Sequence, residues 1–236
     1  VFTVLDAPED IDVLSNRKET GNLIQEFCLV EGFEGSGLQW PEFSDKSTVW
    51  TKLKLPVIAK PIDACGTDDS HWMSLYRSFN TRFLPKDDSI VQKFYEHYGI
   101  LYKVYVIGRQ VEIVARPSIS NRDYEPDTFL HRFNTHKFKL SEGDLSAERL
   151  EEAEIRISPL RSLIESFALK LKDRLNLTWF GIDVIIPEED ANDCDENDLV
   201  DRNTIKAAVI DINYMPGYAG ITNLPEKLIK AVRPDI

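Results

Sequence analysis

The spacing of apolar residues in the first half of the chain alternates between helical and strand-like intervals. Apolar positions three or four residues apart are typical of a helix that packs against a core, and short continuous apolar runs are typical of buried strands. The predicted elements of this half are a helix starting near Asp10 and running through Ile24 and Phe27, a short buried strand at residues 55–60, a short helix at residues 71–79 and a strand at residues 89–95.

The second half contains the clearest hairpin and the clearest helical pattern. The turn Gly108-Arg109-Gln110 separates two apolar runs and predicts a β-hairpin. Pro159 is expected to open the second part of the long helical region. The predicted elements are strands at 101–107 and 111–115, a loop at 118–125, a helical region at 149–175, strands at 180–186 and 207–213, and an acidic surface insertion at 188–203. Mixed sheets with flanking helices follow, which is an α+β or α/β architecture.

Composition and charge narrow the classes of function. The 236 residues suit one large domain or two lobes that share a core. A hydrophobic content of 42% with mixed charges is typical of a globular protein. The net charge of -12 argues against a nucleic-acid or membrane binder, although a local basic pocket can still hold an anionic small molecule. No apolar run approaches the roughly 20 residues of a membrane span, and no signal peptide is recognisable.

The cysteines predict neither a disulfide framework nor a zinc site. Cys28, Cys65 and Cys194 are odd in number and widely spaced. A reducing, cytoplasmic location is therefore expected. The chain also begins without methionine, so we expect it to be a fragment of a longer protein.

Carboxylate and amide side chains interrupt two of the predicted apolar strands. Residues two apart lie on one face of a strand, so Asp211 and Asn213 are expected to share a face with Val209. The even-numbered residues from 208 to 212 are predicted to pack on the opposite face. Asp183 interrupts the preceding strand, where an unpaired carboxylate would be costly to bury. Mg²⁺ prefers such oxygen ligands, so these residues predict a magnesium site, and a solvated polar sheet face is the alternative.

Short runs along nearly the whole chain resemble segments of one enzyme family. The run V-I-D-I-N-Y-M-P-G-Y at residues 209–218 resembles its closing motif, and F-G-I-D at 180–183 resembles the motif before it. Further matching segments, in family order, lie at 16–18 with 23–24, 66–67, 70–71, 101–108, 116–118 and 133–136. The family is that of the inositol 1,3,4-trisphosphate 5/6-kinases, which have the ATP-grasp fold.

The resemblance implies a role for each matching position. Lys103 and Asp211 would act in phosphoryl transfer, and Mg²⁺ would be held by Asp183, Asp211 and Asn213. ATP would be contacted by Arg17, Lys60, Gln92, Lys93, Phe94, Tyr95, Lys103, Ser118 and Thr135, and the inositol phosphate by His71, Lys103, Arg116, Asn213 and Gly217.

Some of these residues also have plainer interpretations. Lys60 and Lys103 each interrupt or end an apolar strand, and either is also explained as a surface lysine with a buried stem. His71 could be a structural histidine, and Arg17 could be an exposed helix residue.

Two departures from the family pattern bear on the substrate. Cys65 occupies a position where some family members have a histidine near the substrate, which bears on which inositol phosphate binds. Only sixteen residues precede Arg17, whereas the family has a further lysine-bearing lobe there, so that lobe is expected to be missing from this chain. The central ATP-grasp lobe is predicted at about residues 50–125.

Three hypotheses of function follow. The first is a monomeric, cytoplasmic inositol phosphate kinase that uses ATP and Mg²⁺ and binds neither nucleic acid nor membrane. The second is a different ATP-grasp enzyme, a carboxylate–amine ligase, which would form an acyl phosphate on the same metal. The third is a nucleotide-binding regulatory domain without catalytic activity.

Overall fold

Helices and strands alternate along the chain of this computed structural model, which describes residues 5–44, 53–78, 88–119, 130–135, 145–188 and 206–233. The helices are α1 Pro8–Asp12, α2 Arg17–Val30, α3 Ala147–Ile157, α4 Arg161–Leu175 and α5 Leu224–Val232. The strands are β1 Leu38–Gln39, β2 Phe43–Ser44, β3 Val57–Pro61, β4 Trp72–Tyr76, β5 Ser89–Lys93, β6 Ile100–Ile107, β7 Gln110–Pro117, β8 Leu130–Asn134, β9 Trp179–Ile185 and β10 Ala207–Tyr214.

The described strands form two five-stranded sheets. Sheet A has the order β1-β10-β9-β6-β7, and sheet B has the order β2-β5-β3-β4-β8. Every strand pair is antiparallel except β1 with β10. The predicted α+β class with mixed sheets and flanking helices is confirmed. Strands β6 and β7 lie within residues 50–125 but belong to sheet A, so the predicted central lobe does not coincide with one sheet.

Two helix predictions are wrong in detail. The helix expected from residue 10 to 27 is broken by a 3₁₀ turn at Val13–Ser15, and α2 begins only after Asn16. The Asn16 side chain accepts hydrogen bonds from the backbone N–H groups of Lys18 and Glu19, which is how asparagine starts a helix. The helix predicted for 71–79 is instead β4, since Met73 and Leu75 alternate into the core of sheet B.

The other predicted helices and strands agree with the structure, whereas β1, β2, β8 and α5 were not predicted. The hairpin of β6 and β7 turns at Gly108, which has a left-handed φ of 60°. Pro159 lies in a 3₁₀ turn that separates α3 from α4, as expected. Residues 120–125 of the predicted loop, residue 79 of the predicted helix and the insertion from residue 189 to 203 lie outside the described residues.

One face of sheet A packs against helices and forms the main core. Along β6, Tyr102, Val104 and Val106 point into this core, where they meet Ile24 of α2 and Phe167 of α4. The intervening β6 residues point to the opposite face. This alternation buries one apolar face against α2, α3 and α4. The opposite face, the polar face of sheet A, carries Lys103 beside Asp183, and at one end of it Tyr105 and Ile107 pack against Tyr218 and α5.

A β-bulge in β10 changes the faces that were predicted for this strand. The register with β9 shifts between Val209 and Asp211, so that Ile210 is the extra residue. Val209 and Ile212 therefore both point into the helix-packed core. The prediction that Val209 shares the face of Asp211 is wrong, because the bulge reverses the alternation at this point.

The length of the helices and the burial of the cysteines bear on two of the sequence predictions. None of the helices in the described ranges combines the length and apolar character needed to cross a membrane. Cys28 is buried and Cys65 is exposed. Cys194 lies outside the described residues.

Candidate functional site

Three charged side chains, Lys103, Asp183 and Asp211, form a polar row across the polar face of sheet A. The strand register places Lys103 of β6 opposite Asp183 of β9, and Asp183 opposite Asp211 of β10. Lys103 Nζ donates to Asp183 Oδ1 at 2.8 Å. Asn213 lies two residues beyond Asp211 and opposite Gly181, so the predicted sharing of a face by Asp211 and Asn213 agrees with the register.

Burial and neighbouring charge shift the pKa values of Asp183 and Lys103 in opposite directions. Burial raises the pKa of Asp183, while the adjacent Lys103 ammonium opposes the rise. Burial by itself would lower the pKa of Lys103, but Asp183, together with Tyr105 and Asp211, more than compensates and the pKa is raised. Lys103 is therefore charged at neutral pH, and the carboxylate of Asp183 depends on it for neutralisation.

Arg17, the first residue of α2, is buried rather than exposed, with only 3% of its surface accessible. Its Nη1 donates to the carbonyl oxygens of Pro61, Asp63 and Ser70 at 2.8, 3.0 and 3.3 Å. Its Nη2 lies 3.8 Å from Asp211 Oδ2. The alternative of an exposed helix residue is wrong. Arg17 ties the segment after β3 to the carboxylate of β10.

Lys60 joins the two sheets at the bulge. Its side chain extends from β3 of sheet B, and Nζ donates to the carbonyl oxygen of Ile210 in β10 at 2.7 Å. Bulges leave a backbone group outside the strand ladder, and here the Lys60 ammonium satisfies it. Lys60 is 5% exposed, so the interpretation as a surface lysine is wrong.

Lys60 should make the stability of the metal-free protein depend on pH. Burial lowers its pKa from 10.5 to about 8, against the opposing charge of Asp211. Between these values the unfolded chain binds more protons than the folded chain, so the free energy of unfolding should rise with pH by up to about 1.4 kcal/mol per pH unit. Urea denaturation of wild type and Lys60→Met from about pH 8 to pH 10 measures this rise. Equal slopes in both proteins would contradict it.

The loop after β10 lies over the same face of sheet A. Pro216 packs on Gly181, where a Cβ atom would come within 2.8 Å of Pro216 Cγ. Met215 and Tyr218 adopt left-handed φ angles of 47° and 45°, which cost energy for residues with side chains. A Cβ atom on Gly217 would meet no other atom within 4 Å. The backbone of Gly217 is therefore open on the side where a side chain would stand.

The glycines of this loop region should respond differently to alanine. Gly181→Ala forces Pro216 away and should lower the free energy of unfolding by about 1–3 kcal/mol, as overpacking does. Gly217→Ala is the matched control, because its methyl group enters open space and should change stability little. Urea denaturation of the two variants compares them. Equal losses would show that Pro216 does not hold the loop through Gly181.

The inward face of sheet B is apolar except for a few polar groups. Ile58 and Gln92 lie opposite each other on β3 and β5, and Leu75 lies beside Ile58 on β4. Gln92 is 1% exposed, and within the described parts of the chain neither its Oε1 nor its Nε2 has a hydrogen-bond partner. A buried amide without partners is costly, so Gln92 is a candidate for pairing with a ligand that brings both a donor and an acceptor.

The linker from β5 to β6 joins the two sheets and is held by side chains. His97 is buried, with Nδ1 2.7 Å from the carbonyl oxygen of Tyr95 and Nε2 2.7 Å from Ser118 Oγ. Glu188 accepts from the backbone N–H of Tyr98, and Arg149 donates to the Tyr98 carbonyl oxygen. Ser118, predicted on the nucleotide side, thus contacts the linker.

The other predicted residues lie around these two faces. Arg116 lies opposite Leu101 on the polar face of sheet A, and its Nη2 is near Gly220. Phe94 is buried with the apolar core of sheet B, and Lys93 Nζ lies 4.9 Å from the centre of the Tyr95 ring. The backbone N–H of Thr135 donates to the carbonyl oxygen of His71, which ends a 3₁₀ turn before β4. Their predicted contacts with ATP or inositol phosphate stay predictions.

The donor set of the polar row suits magnesium better than a transition metal. In the described ranges no group of three or more His, Cys, Asp or Glu side chains is placed to share a metal ion. Asp183 and Asp211 supply two carboxylates, and Asn213 supplies an amide oxygen. Mg²⁺ is typically held by one or two carboxylates together with water and substrate phosphates, which this set accommodates.

Sequence reasoning missed three contributors to the site. The Ile210 carbonyl oxygen becomes available only through the bulge, for which the sequence has no signal. His97 is a structural residue of the linker, and nothing in its local pattern distinguishes it. Gly181 did carry a signal, since a glycine inside a strand often marks the close approach of another backbone segment.

Two curated relatives are similar over most of this chain. It is 31% identical over 231 residues to inositol-tetrakisphosphate 1-kinase 3 of Glycine max, covering 92% of this chain and 59% of that protein. It is 30% identical over 235 residues to inositol-tetrakisphosphate 1-kinase 1 of Arabidopsis thaliana, covering 92% of this chain and 67% of that protein. The chain thus spans about three fifths to two thirds of the length of these relatives.

Solved structures share the fold at low sequence identity. The macrocyclase MdnC of Microcystis aeruginosa, bound with its precursor peptide, has a TM-score of 0.52 and 11% identity, covering 98% of this chain and 64% of that chain. The ATP-grasp ligase PsnB, complexed with minimal precursor, Mg and ADP, has a TM-score of 0.51 and 13% identity, covering 98% and 62%. The predicted ATP-grasp fold is confirmed, and at this identity the likeness shows the fold alone.

The family resemblance seen in the sequence motifs is also confirmed. Residues 42–233 match the family described as the inositol 1,3,4-trisphosphate 5/6-kinase ATP-grasp domain. The matched region contains both sheets except β1, together with the polar row of Lys103, Asp183 and Asp211. The chain therefore belongs to the inositol 1,3,4-trisphosphate 5/6-kinase ATP-grasp domain family.

Proposed function

We propose that this chain is the ATP-grasp part of a kinase that transfers the γ-phosphate of ATP to a hydroxyl group of an inositol phosphate, with Mg²⁺. The observation that carries the proposal is the row of Lys103, Asp183 and Asp211 on sheet A, facing Lys60 of sheet B across the bulge of β10. A polyphosphate requires cations and metal ligands close together, and these residues bring two lysines and two carboxylates into one region.

The adenine ring is assigned to the apolar face of sheet B. Ile58 and Leu75 supply apolar surface, and the unpaired amide of Gln92 supplies the donor and acceptor that an adenine edge requires. Lys60 lies on the same face of β3 as Ile58, two residues further along, beside the polar row. A nucleotide in this orientation places its base against Gln92 and its phosphates towards Lys60.

The transfer itself is assigned to the polar face of sheet A. Asp183, Asp211 and Asn213 would hold Mg²⁺, which when bound neutralises charge on the β- and γ-phosphates. Lys103 and Lys60 would neutralise charge that develops during transfer. Arg116 and the open backbone at Gly217 border the same face and would receive the inositol phosphate. Positioning and charge neutralisation are the main requirements of phosphoryl transfer, so no general base is assigned.

The proposal is tested with the full-length protein, labelled ATP, Mg²⁺ and a panel of inositol phosphates. The expected result is transfer of label to at least one of them. A protein that folds and binds ATP yet labels none would overturn the proposal. ADP release that requires a carboxylate and an amine would instead identify a ligase. ATP binding without turnover of any substrate would identify a regulatory domain.

Gln92→Leu should separate stability from nucleotide binding. Leucine removes a buried amide that has no described partner, so the free energy of unfolding should rise. The same change leaves the adenine edge unpaired, so ATP should bind roughly 5- to 150-fold more weakly. Calorimetric titration with a non-hydrolysable ATP analogue measures the affinity, with the exposed Gln25→Leu as control. Unchanged affinity would remove Gln92 from the nucleotide site.

A further inference from the structure

Three cations of the proposed site, Arg17, Lys60 and Lys103, each contact β9 or β10. Lys103 Nζ is 2.8 Å from Asp183 Oδ1, and Arg17 Nη2 is 3.8 Å from Asp211 Oδ2. Lys60 Nζ donates to the carbonyl oxygen of Ile210, the residue next to Asp211. The two carboxylates proposed to hold Mg²⁺ are thus the same two that neutralise Lys103 and Arg17.

These contacts are partly buried, so the protein's cations compete strongly with a metal ion for the two carboxylates. Asp183 and Asp211 have side chains that are each 15% exposed, and Arg17 is 3% exposed. Partial burial reduces screening by water and salt, so each cation opposes the approach of another cation to its carboxylate. The Lys103 side chain is 31% exposed and unbranched, so its ammonium group is the one that can move away from its carboxylate partner.

Resting on the proposed function, we infer that Lys103 blocks the metal ligand Asp183 until a polyphosphate draws its ammonium away. In the nucleotide-free protein the Lys103 ammonium neutralises Asp183 and weakens metal binding there. When the phosphates of a nucleotide bind Lys103, the Asp183 carboxylate becomes available to the metal. Metal and nucleotide therefore bind cooperatively, and each strengthens the binding of the other by the same factor.

This inference predicts that deletion of an active-site lysine tightens metal binding. Without nucleotide, Lys103→Gln should bind Mn²⁺ about tenfold more tightly than wild type, within the range usual for coupled sites. Mn²⁺ is the probe because it accepts the same oxygen ligands as Mg²⁺ and is paramagnetic. Water-proton relaxation measures the affinity, and the component lost in Asp183→Asn defines the site. Lys103→Arg keeps the charge and should bind Mn²⁺ as weakly as wild type.

Two further variants separate direct pairing from a general change of charge. Lys60→Gln removes a cation from the same region that is bonded to a carbonyl oxygen rather than to a carboxylate, and should gain much less affinity. Lys170→Gln breaks a 2.8 Å pair with Glu31 on the surface and should gain none. Equal gains in Lys60→Gln and Lys103→Gln, or no gain in Lys103→Gln, would overturn the inference. Lys103→Met replaces Lys103→Gln if the latter lacks a cooperative thermal transition.

Failure of the inference and failure of the proposed function have different signatures. Wild-type binding of a non-hydrolysable ATP analogue, measured separately, tests the nucleotide site. Tighter Mn²⁺ binding by Lys103→Gln without any nucleotide binding by wild type would support the blocking by Lys103 and overturn the kinase. Nucleotide binding and transfer without the gain in Mn²⁺ affinity would support the kinase and overturn the blocking.

Discussion

Replacement of Asp211 by asparagine is expected to lower kcat/KM for phosphoryl transfer at least about a hundredfold, the usual effect of losing one electrostatic group at a transition state. Asp211 lies opposite Asp183 in the strand register and next to the bulge that Lys60 satisfies. Asparagine keeps the size of the side chain and can still accept the hydrogen bond from the Ile212 backbone N–H. The change removes the negative charge at the proposed metal site and also the partner of Arg17, so kcat/KM is compared at a temperature where both proteins are folded.

The control for Asp211→Asn is a carboxylate outside the site. Asp173 is 54% exposed and pairs with Arg109, so Asp173→Asn should leave transfer unchanged. Steady-state kinetics of both variants, with thermal melting to verify folding, make the comparison. Transfer by Asp211→Asn at a rate near that of wild type would remove Asp211 from the catalytic residues.

Arg17→Gln is expected to cause the largest loss of stability, about 3–5 kcal/mol in the free energy of unfolding, as when one partner of a buried ion pair is removed. Arg17 donates to three carbonyl oxygens between residues 61 and 70 and faces Asp211. Glutamine is too short to reach these partners together. The carbonyl groups would lose their donor, and the partly buried Asp211 carboxylate would lose its cation.

Arg161 is a matched control for Arg17. Both arginines are the first residues of helices, α2 and α4. Arg161 is 35% exposed and its Nη2 contacts both carboxylate oxygens of Glu154 at 2.8 Å. Arg161→Gln should cost less than about 1 kcal/mol because exposed pairs contribute little. Urea denaturation measures both, and similar losses would contradict the structural role of Arg17.

Much of the fold was predictable because alternation and turn signals are local. The turn at Gly108 predicted the hairpin of β6 and β7, as observed. The helix predicted around His71 failed because a short run containing Met73 and Leu75 suits either a helix or a strand. This run forms the strand β4 because it pairs with β3 on one side and β8 on the other.

The polar row shows where local pattern stops being informative. The sequence predicted that Asp211 and Asn213 share a face, since two residues of one strand lie within a few ångströms of each other. It did not predict that Asp183 lies opposite Asp211 and Lys103 opposite Asp183, because register between separate strands depends on the packing of the whole sheet. The resemblance to the family motifs pointed to Lys103, Asp183 and Asp211, but it did not show that they lie side by side on neighbouring strands.

By itself, the sequence determined the α+β class, the family and the pairing of Asp211 with Asn213 on one strand face. The tertiary structure alone decided that β10 bulges at Ile210, that Lys60 crosses from sheet B to satisfy the bulge, and that Arg17 is buried. The physical reason is distance along the chain. Lys60 and Ile210 are 150 residues apart, and such a contact forms only when both sheets are folded and packed.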